Sequence, residues 1–305
     1  MSRALGLALG FTADRVLGDP ARWHPVAGFG RVAAALERTT YADRRGPGVA
    51  HVMLLVGGAV AVGIVAERGP RTLVTAAAVW AVLGGRSLER EAEAVADLLA
   101  AGRLDEARER LTHLVGRDTT RLDEAEVARA AIESLAENTS DAVVAPLVCG
   151  ALAGVPGLLG YRAANTLDAM IGHRSPRYER FGWAAARLDD LLNLPGSRLT
   201  AALATLLGGD PTAARHAWRR DAGRHPSPNA GPVEAAFAGA LGVRLGGTTV
   251  YAGRVEQRPA LGVGRPPGQH DISRAIELAV RVGRAAAIVA VVIALRPSRR
   301  PRRPS

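Results

Sequence analysis

Residues 49–66, VAHVMLLVGGAVAVGIVA, are an 18-residue apolar run in which His51 is the only ionisable group. That is close to the length at which a helix crosses a bilayer, so the run constrains the fold more than any other segment. Further apolar stretches lie at Thr72–Leu83, Ala142–Tyr161, Leu199–Gly208 and Ala285–Leu295, and only the second of these is nearly long enough to cross alone. Length arguments allow three to five spans, and four or five is the working expectation. Hydrophobic residues make up 48% of the 305, more than a typical soluble enzyme carries. The predicted class is an all-α, polytopic membrane protein, a single integral membrane domain over 1–305.

Three regions depart from that apolar background. Gly85–Ser140 is a charged helical insert. Apolar positions at Leu88, Ala92, Val95, Leu98 and Leu99, then Ala107, Leu111 and Leu114, fit two amphipathic helices broken at Gly102. They resemble a single tetratricopeptide-type hairpin, and one such hairpin needs packed neighbours. A third helix is expected after Thr119 and Thr120, with Asp123 and Glu124 at its positive end, running to about Asn138. The start, MSRALGLALGFTADRV, reads as a retained membrane or interfacial helix. The end, 296–305, is a basic tail that the positive-inside rule places in the cytoplasm, though it also reads as a plain disordered tail.

The 39 basic residues include no lysine, and the net charge is +10. A Walker A loop and a pyridoxal phosphate Schiff base are therefore excluded. Arginine's planar fork instead suits phosphate, carboxylate or lipid headgroups. Nucleic acid is not an expected partner, because aromatics are only 4% and no basic helix is interleaved with stacking rings. Cys149, alone in an apolar run, gives no disulfide or cysteine–zinc chemistry and reads as a small core residue.

Polar side chains crowd the apolar segments between Arg129 and Arg198: Glu133, Glu137, Asn138, Asp141, Asn165, Asp168, Arg187, Asp189, Asp190 and Asn193. Ionisable groups at a membrane boundary are candidates for function, with helix caps and interfacial ion pairs as the competing account. Glu133 and Glu137 share a helix face, where like charges repel. A cation between them, most simply Mg²⁺ with Asp141 as a third oxygen ligand, would relieve that repulsion; alternatively Asp141 or Ser140 caps the next helix. Pro146 and Pro156, with glycines at 150, 154, 157 and 160, predict a broken membrane helix lining protein or a wet cavity. Asn165 with Asp168, and Arg187 with Asp190, each present two polar groups on one face.

Outside this stretch, Asp14, Asp19 and His24 sit in a rigid, proline-rich segment that is either a site or a set of turns. Gly28 and Gly30 only imitate a dinucleotide fingerprint, because no strand precedes them. The Gly/Pro-rich HPSPNAGPVEAAFAGALGVRLGGTTVYAGR carries Asn229, Glu234 and Arg244 and reads as a structured loop with a short helix from about Val233 to Leu241, outside the bilayer core. The helix start could receive a phosphate, or small residues there could serve packing.

Six blocks together resemble the CobD/CbiB family of cobalamin biosynthesis membrane proteins: Asp14–Gly30, Arg117-Asp118-Thr119, AENTSDAVVAPL (136–147), NTLDAMIGH (165–173), FGWAAARLDDLLN (181–193) and SPNAGPVEAAFAGALGVRLGG (227–247). They occur in order over nearly the whole chain; His173, Ala142 and Gly196-Ser197-Arg198 depart from the usual pattern. The resemblance implies an adenosylcobinamide-phosphate synthase of the cell membrane. Such an enzyme is expected to use ATP and Mg²⁺ to join adenosylcobyric acid, a corrinoid, to aminopropanol or its phosphate through an acyl phosphate, and a homo-oligomer is compatible with it. On that basis Glu137, Asp141, Asp168 and Asp190 are expected to bind metal, and Asn138, Asn165, Arg198 and Asn229 to bind the cofactor. Asp19, His24, Glu133 and Arg187 are the expected catalytic set, with His24 or Asp19 as base and Arg187 and Arg198 holding phosphate. A related membrane branch linked to β-lactamase regulation, a transporter, and a membrane-free helical scaffold are the competing readings.

Overall fold

A computed structural model describes residues 1–18, 24–173, 175–251 and 254–296. The helices are α1 (Ser2–Leu17), α2 (Pro25–Thr40), α3 (Arg45–Ala66), α4 (Arg71–Val82), α5 (Gly85–Ala100), α6 (Leu104–Leu111), α7 (Glu124–Thr139), α8 (Ala145–Leu167), α9 (Trp183–Leu207), α10 (Pro211–Asp221), α11 (Ala230–Leu241) and α12 (Gln269–Leu295). Strands β1 (Leu245–Tyr251) and β2 (Arg254–Leu261) form an antiparallel hairpin between α11 and α12. That hairpin is an addition to the all-α expectation: Thr248–Tyr251 and Arg254–Gln257 pair in register, which the Gly and Pro around them conceal.

Among the described residues, three helical regions are long and apolar enough to cross a membrane: Arg45–Ala66, Glu124–Gly172 and Gln269–Leu295. The first is the expected span, with Met53, Leu54, Val62, Ile64 and Val65 exposed along it. The second is not one straight rod. Gly154 adopts φ 70°, ψ −156°, conformations open essentially to glycine alone, and the chain folds back there. A Cβ placed at Gly157 would lie 2.7 Å from the carbonyl oxygen of Cys149, eight residues earlier, where a straight helix would separate them by about 12 Å. Leu158 likewise packs on Gly150. The broken helix expected at 142–161 is thus a helical hairpin with two antiparallel arms.

The turn of this hairpin is held by charge. Fold-back frees the Val155 N–H, and Glu67 Oε1 accepts it at 3.0 Å; Arg3 donates to the Ala151 carbonyl at 3.4 Å and stands 3.9 Å from Glu67. The other end of both arms lies beside α9, where the backbone of Ala145 closes on Gly196 and that of Ile171 on Gly182. π-helical turns at Ser140–Val144 and Asp168–Gly172 terminate the arms there. Such insertions recur at functional sites.

The remaining helices align with this axis. α3 starts at the α9 end, where Gly48 meets Phe181, and finishes at the turn, where Gly63 meets Pro156. α1 and α4 run parallel to each other, Gly6 against Thr75 and Gly10 against Val79, with both C-termini toward the α9 end. α12 enters from the opposite direction: Arg274 bonds the Leu241 carbonyl, Gly283 packs on Val143 and Phe11, and the helix continues along α1 toward the Arg3 end. The last residue described, Arg296, therefore lies at the turn end; the basic tail beyond it falls outside the described residues.

At the α9 end a cap is built from α5, α6, α7, α10, α11, the β-hairpin and the first half of α12. α5 and α6 are the two amphipathic helices, separated at Gly102 with φ 72°. α7 begins at Glu124, after Thr119 and Thr120 as expected; Asp123 and Glu126 form a capping box, while Asp118 accepts from Thr120 in the preceding turn. Every residue of α11 is buried, and Gly231 and Gly239 sit against the backbone of Ala222 and Ala213. Small-residue packing of this kind accounts for the glycines within it.

Candidate active site

The cap and the hairpin arms enclose a polar cavity of about 200 Å³, lined by Glu137, Ser140, Asp141, Asp168, Asp189, Asp190 and Asn193 together with Ala186, Ser227, Asn229, Ala230 and Val233. Asp141 and Asp168 are 27 residues apart, about 40 Å along a continuous helix. Only the fold-back at Gly154 brings both to one chamber. α7 contributes Glu137 from its last turn, and α9 contributes Asp189, Asp190 and Asn193.

Amides and hydroxyls arrange these acids. Asn193 donates to Asp141 and accepts from Ser140 Oγ at 3.2 Å, so it links the start of one arm to α9. Asn165 donates to Asp189 at 3.2 Å and accepts from Arg162 at 3.3 Å. On the far wall Asn229 donates to the Asp190 carbonyl at 2.8 Å, while its own oxygen accepts from Ser197 at 2.8 Å and Arg198 at 2.9 Å. Arg187, exposed, lies 3.4 Å from Asp190 at the rim. Burial raises the pKa of Asp189 to about 6, with the neighbouring carboxylates adding to the effect and the Asn165 hydrogen bond opposing it. Burial also raises that of Asp190, against the pull of Arg187.

All four expected metal ligands, Glu137, Asp141, Asp168 and Asp190, line this cavity. Among the described residues, however, no three His, Cys, Asp or Glu side chains converge as a ready ligand sphere. The donor set still suits Mg²⁺, which keeps much of its water and is commonly held by one or two carboxylates plus substrate phosphates. Of the expected cofactor residues, Asn229 lines the cavity, Asn165 and Arg198 brace its walls, and Asn138 donates to Ser134 one turn back on α7.

The expected catalytic set is dispersed. Asp19 lies outside the described residues. His24 is the N-cap of α2, its Nδ1 accepting the Val26 N–H at 3.2 Å, and it does not line the cavity. Glu133 is 1% exposed and fully engaged: it takes Arg117 at 2.9 Å and the Gly246 N–H at 2.8 Å, and has Arg129 at 3.5 Å. Arg129 also donates to the Gly246 and Thr248 carbonyls, so this buried network fastens the β-hairpin to α7. Arg117 and Arg129 offset the charge of Glu133 beside Glu137. Ser227 is a polar cavity residue that the sequence did not single out; its Pro-flanked setting between His225 and Asn229 was the available sign.

The fold and site define a helical protein of membrane type, with an acid-walled chamber set where a polar cap meets an apolar helical bundle. The CobD/Cbib protein family matches residues 7–279. Cobalamin biosynthesis protein CobD of Mycobacterium tuberculosis (strain ATCC 25618 / H37Rv) is 53% identical, covering 98% of each chain. The protein of the same description from Chromobacterium violaceum is 47% identical over 92% of this chain and 93% of its own. A third, from Rhodobacter capsulatus, is 44% identical over 84% of each. No solved structure matches. The chain belongs to the CobD/CbiB family of cobalamin biosynthesis proteins.

Proposed function

We propose that the protein is an adenosylcobinamide-phosphate synthase: it uses ATP to join a propionate carboxylate of adenosylcobyric acid to (R)-1-aminopropan-2-ol or its O-phosphate. The observation that carries the reading is the chamber itself, in which carboxylates from α7, both hairpin arms and α9 face one polar space in a member of this family. A free carboxylate is a poor acyl donor. ATP supplies its γ-phosphoryl to the carboxylate oxygen with loss of ADP, and the amine nitrogen then attacks the acyl carbon as the C–O bond to phosphate breaks.

The chain's own groups divide that work. Asp141, Asp168 and Asp190 would hold Mg²⁺, which when bound offsets the negative charge of the phosphates. Arg187 at the rim and Arg198 behind Asn229 are the phosphate clamps, and the bracing by Asn193 and Asn165 keeps the acids oriented. A cavity of this size takes the reacting ends, an amine and a phosphoryl group, and leaves the corrin ring outside.

ATP use places the cavity end on the cytoplasmic side. Exposed Arg38, Arg44, Arg45, Arg177, Arg180 and Arg187 flank that end, in keeping with the positive-inside rule. The end of α12 then lies at the opposite face.

The test is to incubate detergent-purified protein with adenosylcobyric acid, aminopropanol phosphate, ATP and Mg²⁺, following corrinoid mass and ADP together. Coupled appearance of adenosylcobinamide phosphate and ADP is the expected result; folded protein that yields neither refutes it. Asp141→Asn and Asp168→Asn should each lower turnover sharply.

A further inference from the structure

Where α3 leaves the cavity end of the bundle, two arginines stand without a carboxylate. Arg44 and Arg45 are both exposed, and the acids just before them in the chain are taken: Asp43 pairs with Arg180 at 3.6 Å, and Glu37 with Arg177 at 2.8 Å. Among the described residues, neither Arg44 nor Arg45 forms an ion pair. What Arg45 does contact is the ring of Trp183 at the start of α9, 5.1 Å from its centroid, and Trp183 is itself 39% exposed. A guanidinium lying over an indole face keeps its N–H edge, so the stack leaves those donors for a third group.

The surface that runs away from this pair is apolar and continuous. Val49, Met53, Gly57, Ala61 and Val65 follow Arg45 at four-residue steps, which sets them along one face of α3, and all are exposed. The row begins one turn, about 6 Å, from Arg45 and extends about 30 Å. At Gly57 an added Cβ would meet nothing within 4 Å, so no described part of the chain covers the face there. The arrangement is a cationic head with an indole beside it and an apolar strip below. Trp and Arg take this position at a membrane interface, where the ring sits among headgroups and the long basic side chain reaches phosphate.

We propose that Arg44, Arg45 and Trp183 form a docking site for an anionic phospholipid, its phosphate on the two guanidinium groups and its acyl chains along Val49 to Val65. Charge decides against the other occupant of an apolar helix face, a second copy of the chain. In a two-fold contact through this row both copies share one membrane depth, so Arg45 would meet its own equivalent. A headgroup of net negative charge offers the opposite sign, while a zwitterionic one brings a cation of its own and gains less. Each arginine at this depth contributes about 5-fold to the preference for the anionic headgroup. The proposal needs α3 to span the membrane and is independent of the ligase reading.

The test uses the whole protein in phosphatidylcholine vesicles containing a small fixed share of lipid with brominated chains, either phosphatidylglycerol or phosphatidylcholine. Bromine quenches indole fluorescence on contact, and the part due to Trp183 is the difference between the parent and Trp183→Phe. Brominated phosphatidylglycerol should quench that part on the order of 10-fold more effectively than brominated phosphatidylcholine, and high salt should narrow the gap. Arg44→Gln, which leaves the Arg45 stack intact, should reduce the preference about 5-fold, and adding Arg45→Gln should remove what remains. Arg44→Lys with Arg45→Lys keeps the charge and should keep most of the preference. Equal quenching by the two lipids in the parent, or a preference that survives the double glutamine variant, overturns the proposal. So does protection of Trp183 from both lipids together with disulfide-linked dimers of Met53→Cys protein in a Cys149→Ala background, which would give the face to a second chain.

Discussion

Replacing Gly154 by alanine strikes the one backbone position on which the chamber depends. At φ 70°, ψ −156° an L-residue is strained by about 1–3 kcal/mol. The new Cβ would also lie 2.1 Å from Glu67 Oε1 and 3.0 Å from Arg3 Nη2. Glu67 must then withdraw from the Val155 N–H, a charge-assisted bond worth about 1.5–3 kcal/mol. Together the two effects destabilise the hairpin by about 2.5–6 kcal/mol, a large share of the stability of an ordinary domain. Two assays read this. Thermal unfolding in detergent should shift down markedly for Gly154→Ala. In a Cys149→Ala background, spin labels at Asp141→Cys and Asp168→Cys should broaden each other at short range, whereas a straight helix would hold them about 40 Å apart. A spin separation near that straight-helix value, or a Gly154→Ala protein as stable as its parent, would refute the fold-back and with it the assembly of the acid chamber.

The Glu133 network gives a second prediction: Glu133→Ala leaves the Arg117 and Arg129 guanidinium groups buried without their carboxylate and should cost about 3–5 kcal/mol, seen as early protease cleavage in the β-hairpin. Asp221, buried at 1% side-chain exposure, accepts from Arg220 and from the Gly262 N–H, and the Arg220 hydrogen bond holds its pKa below the ordinary value. Its stabilisation is therefore present above the unfolded carboxylate pKa and fades as pH falls through the folded one; Asp221→Asn should lower the melting temperature at pH 7 and flatten its decline toward acid. Glu234 has the opposite sign, since its raised folded pKa penalises the native state as pH rises, so Glu234→Gln should gain stability relative to the parent at pH 9 and little at pH 5. Cysteines introduced at Arg44 and at Arg68, one at each end of α3, should react with an impermeant thiol reagent from opposite faces of sealed vesicles, and labelling of both from one face would rule out α3 as a membrane span.

The apolar run at 49–66 determined a membrane-type helix by length alone, because within a single segment only a helix satisfies its own backbone groups in an apolar medium. The amphipathic spacing of Leu88–Leu114, the acids at Asp123 and Glu124, and the glycines and prolines of 146–160 likewise spelled out α5, α6, the start of α7 and a break in α8. The acids of the chamber were legible as polar residues placed where apolar neighbours make them costly. Their convergence was not legible, since Asp141 and Asp168 meet only because Gly154 reverses the chain, and a local pattern states that a helix breaks without stating the angle. Tertiary structure also decided which carboxylates face the cavity and which face arginine: Glu133 and Glu137 share one helix face, yet Arg117, Arg129 and the hairpin backbone claim the first, while the second is left to the chamber. The strand pair 245–261 is the remaining case: Thr248–Tyr251 has strand-forming residues, but glycine and proline around it hide the pairing, and buried Arg129 and Glu133 fasten its backbone to α7.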